Sequence, residues 1–330
     1  MLEGRQLAEA IKRRAAALGF DDARIGPAAA LTDDRDRLAR WLDAGRHGEM
    51  DYMRAEFEAR ADPARQFPGA RSVVALALSY YPGEHPPAPA PGTGRVARYA
   101  WGRDYHRFVG LKLRGLKEEI RRLAPAARVR SFVDHSPLLE RAFAARSGLG
   151  FVGKNTMLIH RRLGSWTVLA AIVTDLDLPV DVIDSGDCGR CTLCLEACPT
   201  GAFPAPYELD ATRCISYWTI EASAPPPPEL AARFGDWVFG CDVCQEVCPY
   251  NHRPLDASHG SRLSRAGSAG PWLDSKTLAR QDAAAFKRRF KLTPPMRPGA
   301  ERMARNLRTA VANTKRRRAT IPPAAEGAPP

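Results

Sequence analysis

The sequence predicts a mixed chain, α/β or α+β, in which a layered α/β half precedes a small cysteine-rich domain and short C-terminal helices. Three observations carry that prediction. Over roughly the first 180 residues, helical patterns alternate with β-branched or apolar runs. All eight cysteines fall between Cys188 and Cys248. Around Asp184 the texture changes to Cys, Gly and Pro with few long apolar runs, which is how a domain reads when bound groups rather than a large apolar core hold it together.

Taken in order, helices are expected at Leu2 to Leu18, Asp33 to Ala44, Asp104 to Leu123 and Leu138 to Ser147. Strands are expected at Ser72 to Tyr80, Arg128 to Val133 and Trp166 to Thr174, so the first half reads as a sheet with helices packed on it. Ser136, with Pro137 behind it, is placed to cap the fourth helix, and Gly148 to end it before a tight turn. The Pro-rich stretches Pro86 to Pro91 and Pro225 to Pro228 read as surface loops. Short helices return after Pro271, and the Pro- and Ala-rich end from Thr320 reads as disordered. The expected division is 1–183 for the α/β domain, 184–255 for the cysteine domain, 256–319 for a basic helical segment and 320–330 for a tail.

With 330 residues, 45% of them hydrophobic and 26% charged, the chain can bury a sizeable core. It contains no run of the roughly 18 to 20 apolar residues that spans a bilayer, and Met1 to Phe20 reads as an amphipathic charged helix rather than a signal peptide. No membrane association and a cytoplasmic location are therefore expected. There thiols stay reduced, and clustered cysteines read as metal ligands rather than disulfides. The net charge of +12 is concentrated: residues 287–318 carry twelve Lys or Arg against Glu301 alone, a net +11. Such a block is either a solvated face or loose tail, or the electrostatic footprint of a nucleic-acid binder.

The cysteine spacing is the most specific signal. Cys188, Cys191, Cys194 and Cys198-Pro199 form C-x-x-C-x-x-C-x-x-x-C-P, in which three thiolates wrap one four-iron cluster and the fourth reaches another. Cys241, Cys244 and Cys248-Pro249 supply the second run but lack one thiolate, and Cys214 completes the count. Crossing the fourth ligands gives one 4Fe-4S cluster on Cys188, Cys191, Cys194 and Cys248 and another on Cys198, Cys214, Cys241 and Cys244, the mark of a ferredoxin-like domain. Two structural zinc sites are the competing reading, but zinc does not call for overlapping triplets followed by proline.

Gly148 to Asn155 matches G-x-G-x-x-G and nearly matches a phosphate-binding loop, yet it follows a helix instead of a strand, and Asn155 stands where Ser or Thr is needed. Asp134 ends an apolar run and is not needed as a cap if Ser136 serves. It is either a loop hydrogen-bonding group or a general acid, the latter provided burial raises its pKa from about 3.9. The seven histidines show no paired metal spacing and read as structural or surface residues.

Several stretches together resemble the tRNA epoxyqueuosine reductase family: Arg98 to His106, Asp134 to Arg141, Gly148 to Thr156, Gly164-Ser165-Trp166, both cysteine runs, and Cys214 to Glu221. The likeness covers about residues 5–313. It implies a cobalamin enzyme with two 4Fe-4S clusters that reduces epoxyqueuosine to queuosine at the tRNA wobble position, the last step of queuosine synthesis. The corrin is expected between the α/β and ferredoxin-like domains, with Asp134 as proton donor and contacts in regions that include Arg60, Asp134, Leu158, Ser216 and Asp242. Arg302, Arg305, Arg308, Lys315 and Arg316 are the expected tRNA contacts, beside a helix at Arg305 to Asn313. A low-potential electron donor is required, and a monomer is expected. Two other classes stay open: a reductive-dehalogenase-like reductase of a small molecule, disfavoured by the absent signal and the basic segment, and a ferredoxin-type carrier, which leaves the first half without a purpose.

Overall fold

The computed structural model describes residues 4–83, 90–134, 136–183, 186–252, 269–279 and 281–320. The expected loop at Pro86 to Pro91 lies outside them up to residue 89, as does the expected tail from residue 321 on. In chain order the helices are α1 (Gly4–Ala17), α2 (Thr32–Asp43), α3 (Phe57–Ala61), α4 (Tyr105–Leu123), α5 (Glu140–Arg146), α6 (Leu193–Glu196), α7 (Ile215–Ile220), α8 (Pro228–Ala231), α9 (Val243–Glu246), α10 (Ser275–Ala279), α11 (Ala283–Phe290) and α12 (Gly299–Thr320). The strands are β1 (Asp22–Pro27), β2 (Ser72–Ser79), β3 (Thr93–Val96), β4 (Val129–Phe132), β5 (Phe151–Val152), β6 (Leu158–Ile159), β7 (Thr167–Thr174), β8 (Trp237–Phe239) and β9 (Trp272–Asp274).

The apolar runs at 72–80 and 166–174 become the central strands of a sheet ordered β1-β2-β7-β4. All three pairings are antiparallel, for example Ala75↔Ala171 and Ser131↔Ile172, which makes the first half α+β. Both central strands are covered on both faces, so they lack the polar alternation of a half-exposed strand. Alternate residues of β2 serve two cores. Val74, Leu76 and Leu78 pack with Leu7 and Ile11 of α1 and with Val109, Leu113 and Ile120 of α4. Val73 packs with Phe132, Leu138 and Phe143, and Ala75 and Ala77 with Ala144, Leu149 and Leu158.

A second, three-stranded sheet is ordered β8-β3-β9, with β3 parallel to β8 and antiparallel to β9. Met303, Leu307 and Ala310 of α12 and Phe286 and Phe290 of α11 cover it. At Gly94 of β3 a Cβ would collide with Val238 and come within 2.9 Å of Leu307, so only glycine lets strand and helix approach this closely. Val96, Ala100 and Trp101 belong to the same core, so the segment 93–101 crosses the linear division at 183 and ties the two halves together.

Two local expectations are corrected. α5 begins at Glu140 behind Leu139, with no side-chain cap, and Ser136-Pro137 does not open it. The Leu139 N–H donates to the Arg60 carbonyl (2.8 Å) and Gln66 Nε2 to the Pro137 carbonyl (2.6 Å), so 136–139 is held as a loop against α3. The loose tail considered for Lys315 to Arg318 is helical, since α12 runs unbroken to Thr320. Gly148 does end α5, with φ of +82° and its N–H on the Ala145 carbonyl. Pro225 to Pro227 form the expected loop, and Pro228 opens the short α8.

Candidate active site

Asp104 accepts the His106 backbone N–H at 3.0 Å and so caps α4. That cap presents Tyr105 and His106 at the helix start, where the rings stack with centroids 4.2 Å apart. Asp134 follows β4 with φ of +44°, a left-handed backbone that few non-glycine residues adopt. Its N–H donates to Glu140 Oε1 at 2.8 Å, which fixes the turn to the first residue of α5. The carboxylate thus meets α4: Tyr105 OH donates to Asp134 Oδ2 at 2.6 Å, and His106 Nε2 lies 3.1 Å from the same oxygen. His106 Nδ1 lies 2.6 Å from Asp104 Oδ1. One imidazole therefore bridges two carboxylates.

These contacts set the charge states. Burial opposes ionisation of Asp134, but hydrogen bonds from His106 and Tyr105, with His106 and Arg297 nearby as cations, hold its carboxyl at about 2. The expectation that burial raises it is thereby corrected. Burial likewise disfavours a charged His106, yet its bonds to Asp104 and Asp134 raise it to about 9. Burial together with the charge of Asp134 pushes Glu140 up to about 8. Asp134 nevertheless keeps 53% of its side chain exposed. Asp134 is thus desolvated by its surroundings while half of its side chain stays accessible, and Tyr52 nearby feels burial first and then Glu221, Arg297, Asp134 and Arg60. Arg297 donates to Glu221 at 3.0 Å.

The thiols form two groups. Cys188, Cys191, Cys194 and Cys248 line one small cavity, and burial followed by the other three thiols pushes Cys194 up. Cys214, Cys241 and Cys244 are pushed up by burial first; Cys214 and Cys244 also feel Cys198, and Cys241 feels Cys214 and Cys244. Among the described residues no three His, Cys, Asp or Glu side chains gather tightly enough to hold a single metal ion, so the thiol groups are spaced for something larger than one ion. Backbone N–H groups point at sulfur as cluster ligands require, Lys154 N to Cys188 Sγ at 3.4 Å and Ala202 N to Cys198 Sγ at 3.3 Å. Lys154 and Asn155 of the glycine motif thus meet the cysteine domain, Asn155 Nδ2 donating to the Cys244 carbonyl at 3.3 Å. Tyr99 links the second quartet to Asp134: it packs in one cluster with Cys241 and edge-on against Tyr105, and its acidity is lowered by burial and then by Asp134 and Asp242.

Of the other expected cofactor contacts, Arg60 sits beside Tyr52, donating to its carbonyl at 2.6 Å, and Ser216 lies half-buried on α7. The side chains of Leu158 and Asp242 are buried. Leu158 packs with Leu149 and Leu163, and Asp242 Oδ2 accepts the Arg98 N–H at 2.8 Å. Among the expected tRNA contacts, Arg302 donates to the carbonyls of Glu221 (2.9 Å) and Arg297 (3.0 Å), and Arg305 to those of Ser223 (2.9 Å), Ala224 (2.7 Å) and Trp218 (3.0 Å). Both guanidiniums are thus committed to the fold. Arg308, Lys315 and Arg316 are exposed.

Sequence reasoning gave His106 no site role because it searched for histidine pairs, whereas the ring's partners are a helix cap and a residue 28 positions away. Glu140 and Arg297 were missed too. Asp104 before a helical pattern was the one local signal.

A family model described as "Epoxyqueuosine reductase QueG, DUF1730" matches residues 60–135, and one described as "4Fe-4S double cluster binding domain" matches 187–251. The chain is 41% identical to the epoxyqueuosine reductase of Pseudomonas aeruginosa over 324 residues, 96% of this chain and 87% of that one. It superposes with TM-score 0.85 at 33% identity on an epoxyqueuosine reductase solved with an epoxyqueuosine-modified tRNA-Tyr stem loop, covering 94% of this chain and 82% of that one. A Bacillus subtilis epoxyqueuosine reductase, solved with its aspartate catalytic loop swung out of the active site, gives 0.84 at 31% over the same shares. No described helix is long and apolar enough to cross a membrane.

Proposed function

Because the chain belongs to the epoxyqueuosine reductase family, we propose that it reduces the epoxide of epoxyqueuosine in a tRNA anticodon to the alkene of queuosine, using cobalamin and two 4Fe-4S clusters. The observation that carries this reading is the desolvated yet half-exposed Asp134 carboxylate, linked to the second thiol quartet through Tyr105 and Tyr99. The substrate follows from the relative solved with a modified tRNA stem loop, and the role of Asp134 from the one with an aspartate catalytic loop.

The polar groups around Tyr52, Arg60 and Asp134 among them, fit cobalamin. Arg60, Asp134 and Ser216 would offer side chains, and Leu158 and Asp242 would offer backbone groups. Bound there, cobalamin supplies a low-valent metal strong enough to act on an epoxide carbon. The quartet on Cys188, Cys191, Cys194 and Cys248 and the quartet on Cys198, Cys214, Cys241 and Cys244 would bring electrons from a low-potential donor. Deoxygenating an epoxide consumes two electrons and two protons and releases water. Asp134, fixed by Glu140 and Tyr105, would hand the first proton to the oxygen as its bond to carbon breaks.

Anaerobically reconstituted protein is expected to hold about eight iron atoms and one cobalamin and to convert a modified stem loop, read by nucleoside mass spectrometry. Asp134→Asn should keep both cofactors and lose about 10²- to 10⁴-fold in rate. Stoichiometric zinc without iron-sulfur absorption would sink the reading, and an unchanged rate in the variant would remove Asp134 from it.

A further inference from the structure

We infer that His106 is the resident proton source of the site, delivering through Asp134 the proton that the departing oxygen takes; this rests on the reductase reading above. An ionised Asp134 has no proton of its own to give, so the donor must be a neighbour in contact with it. Among the described residues, four kinds of group face it. Tyr105 donates its O–H to Oδ2, but burial and then the charge of Asp134 push its acidity down, so it holds that proton. Arg297 is a cation that does not release protons, and the same holds for Arg141. Glu140 turns Oε1 toward the Asp134 backbone N–H and not toward its carboxylate. Among the described residues, His106 alone places a ring nitrogen at Asp134, 3.1 Å from Oδ2.

The other ring nitrogen explains why this imidazole carries a proton to spare. Nδ1 lies 2.6 Å from Asp104 Oδ1, so an imidazolium donates to a carboxylate at both ends. When Nε2–H moves to Asp134 Oδ2 and on to the oxygen, a neutral ring remains with Nδ1–H still held by Asp104. Transfer to the carboxylate alone is uphill. Carried on to an alkoxide as the C–O bond breaks, it becomes downhill. His106 keeps 28% of its side chain exposed, so solvent can reprotonate it for the second proton, while the two electrons come from the low-potential donor through the clusters.

The sign of the pH dependence follows. His106 is charged below its raised pKa, so proton delivery is complete at neutral pH and is lost as pH rises through about 9. Exchange of the imidazole C2 hydrogen, read by mass spectrometry on the holoenzyme, measures that pKa without turnover. Single-turnover rates of pre-reduced enzyme measure the delivery. Both should show a transition near 9 in the wild type. Asp104→Asn keeps an N-cap but removes one anion, and both transitions should move down together toward the ordinary value of about 6.5. His106→Gln should lose about 10²-fold in rate and its alkaline limb, with cluster and cobalamin content unchanged. A His106 that exchanges with a pKa of about 6.5, or a rate limb that stays put while the exchange pKa moves, overturns the assignment. A wild type that exchanges as expected but never turns over the stem loop instead overturns the reductase reading.

Discussion

Cys188, Cys191, Cys194 and Cys248 border a cavity of about 40 Å³ lined by Leu193, Pro249 and Tyr250, and Leu193 is exposed beside it. Cys198, Cys214, Cys241 and Cys244 each keep some accessible surface, yet burial pushes Cys241 and Cys244 well above the usual thiol range. The two quartets thus differ in setting: Cys194 and Cys248 of the first are buried beside a small cavity, whereas Cys241 and Cys244 of the second keep some accessible surface but are the more strongly desolvated. The spacing does not set this difference; the packing behind each run does. Phe151, Ile159 and Tyr250 pack against the first quartet, whereas Ile215, Phe234 and Trp237 together with α12 back the second.

The strongest way to break the comparison is at Cys214, the ligand contributed from outside both runs. Cys214→Ala should leave about four iron atoms on the first quartet and abolish reduction of the stem loop, because electrons then stop short of the site around Asp134. Iron analysis and electron paramagnetic resonance of the reduced protein check this. Loss of both clusters at equal rates would show that the two quartets are not independent.

The two quartets also show what was legible in the sequence. Ligand spacing is local, so the thiols of both runs could be paired from C-x-x-C arithmetic, and Cys214 followed by count. β2 and β7 were legible because burial on both faces makes each one apolar run. β1 was not, since a strand reading Asp22-Ala23-Arg24-Ile25-Gly26-Pro27 at a sheet edge has no such run. The β8-β3-β9 sheet was illegible for another reason: strands of three or four residues pair across more than 140 positions, and no local pattern encodes that. The acidity of Asp134 belongs to the same class, being set by a ring that packing alone brings to it.

A smaller effect sharpens the comparison at Asn306. Its Nδ2 donates to the Thr219 carbonyl at 2.8 Å and the Val238 carbonyl at 3.0 Å. Those carbonyls belong to α7 and β8, the elements that lead from Cys214 and into Cys241. Asn306→Ala leaves two buried acceptors unpaired and should cost about 1 to 3 kcal/mol in chemical denaturation. The second cluster should then be lost faster than the first on exposure to a chelator; equal loss rates would place Asn306 outside the packing that distinguishes them.

The smallest expected effect concerns α12 itself, whose two sides divide the labour that the sequence lumped into one +11 block. Met303, Leu307 and Ala310 face the core, and Arg302 and Arg305 are spent on carbonyls of the cysteine domain. Arg308, Ala312 and Lys315 are exposed at helical spacing on the other side, followed by Arg316 and Arg317. A continuous helix holds these cations at fixed separations, so phosphates of a tRNA lying along it release counterions at defined points. Replacing Arg308, Lys315, Arg316 and Arg317 with glutamine should weaken stem-loop binding and flatten its salt dependence by about 0.7 to 0.9 slope units for each phosphate that the protein no longer neutralises. Cluster content should not move. Arg305→Gln should do the reverse, lowering stability while leaving the slope. Affinity titrations at several salt concentrations separate the two: a slope that falls with Arg305 and not with the exposed four would assign RNA binding to the side of α12 that faces the protein.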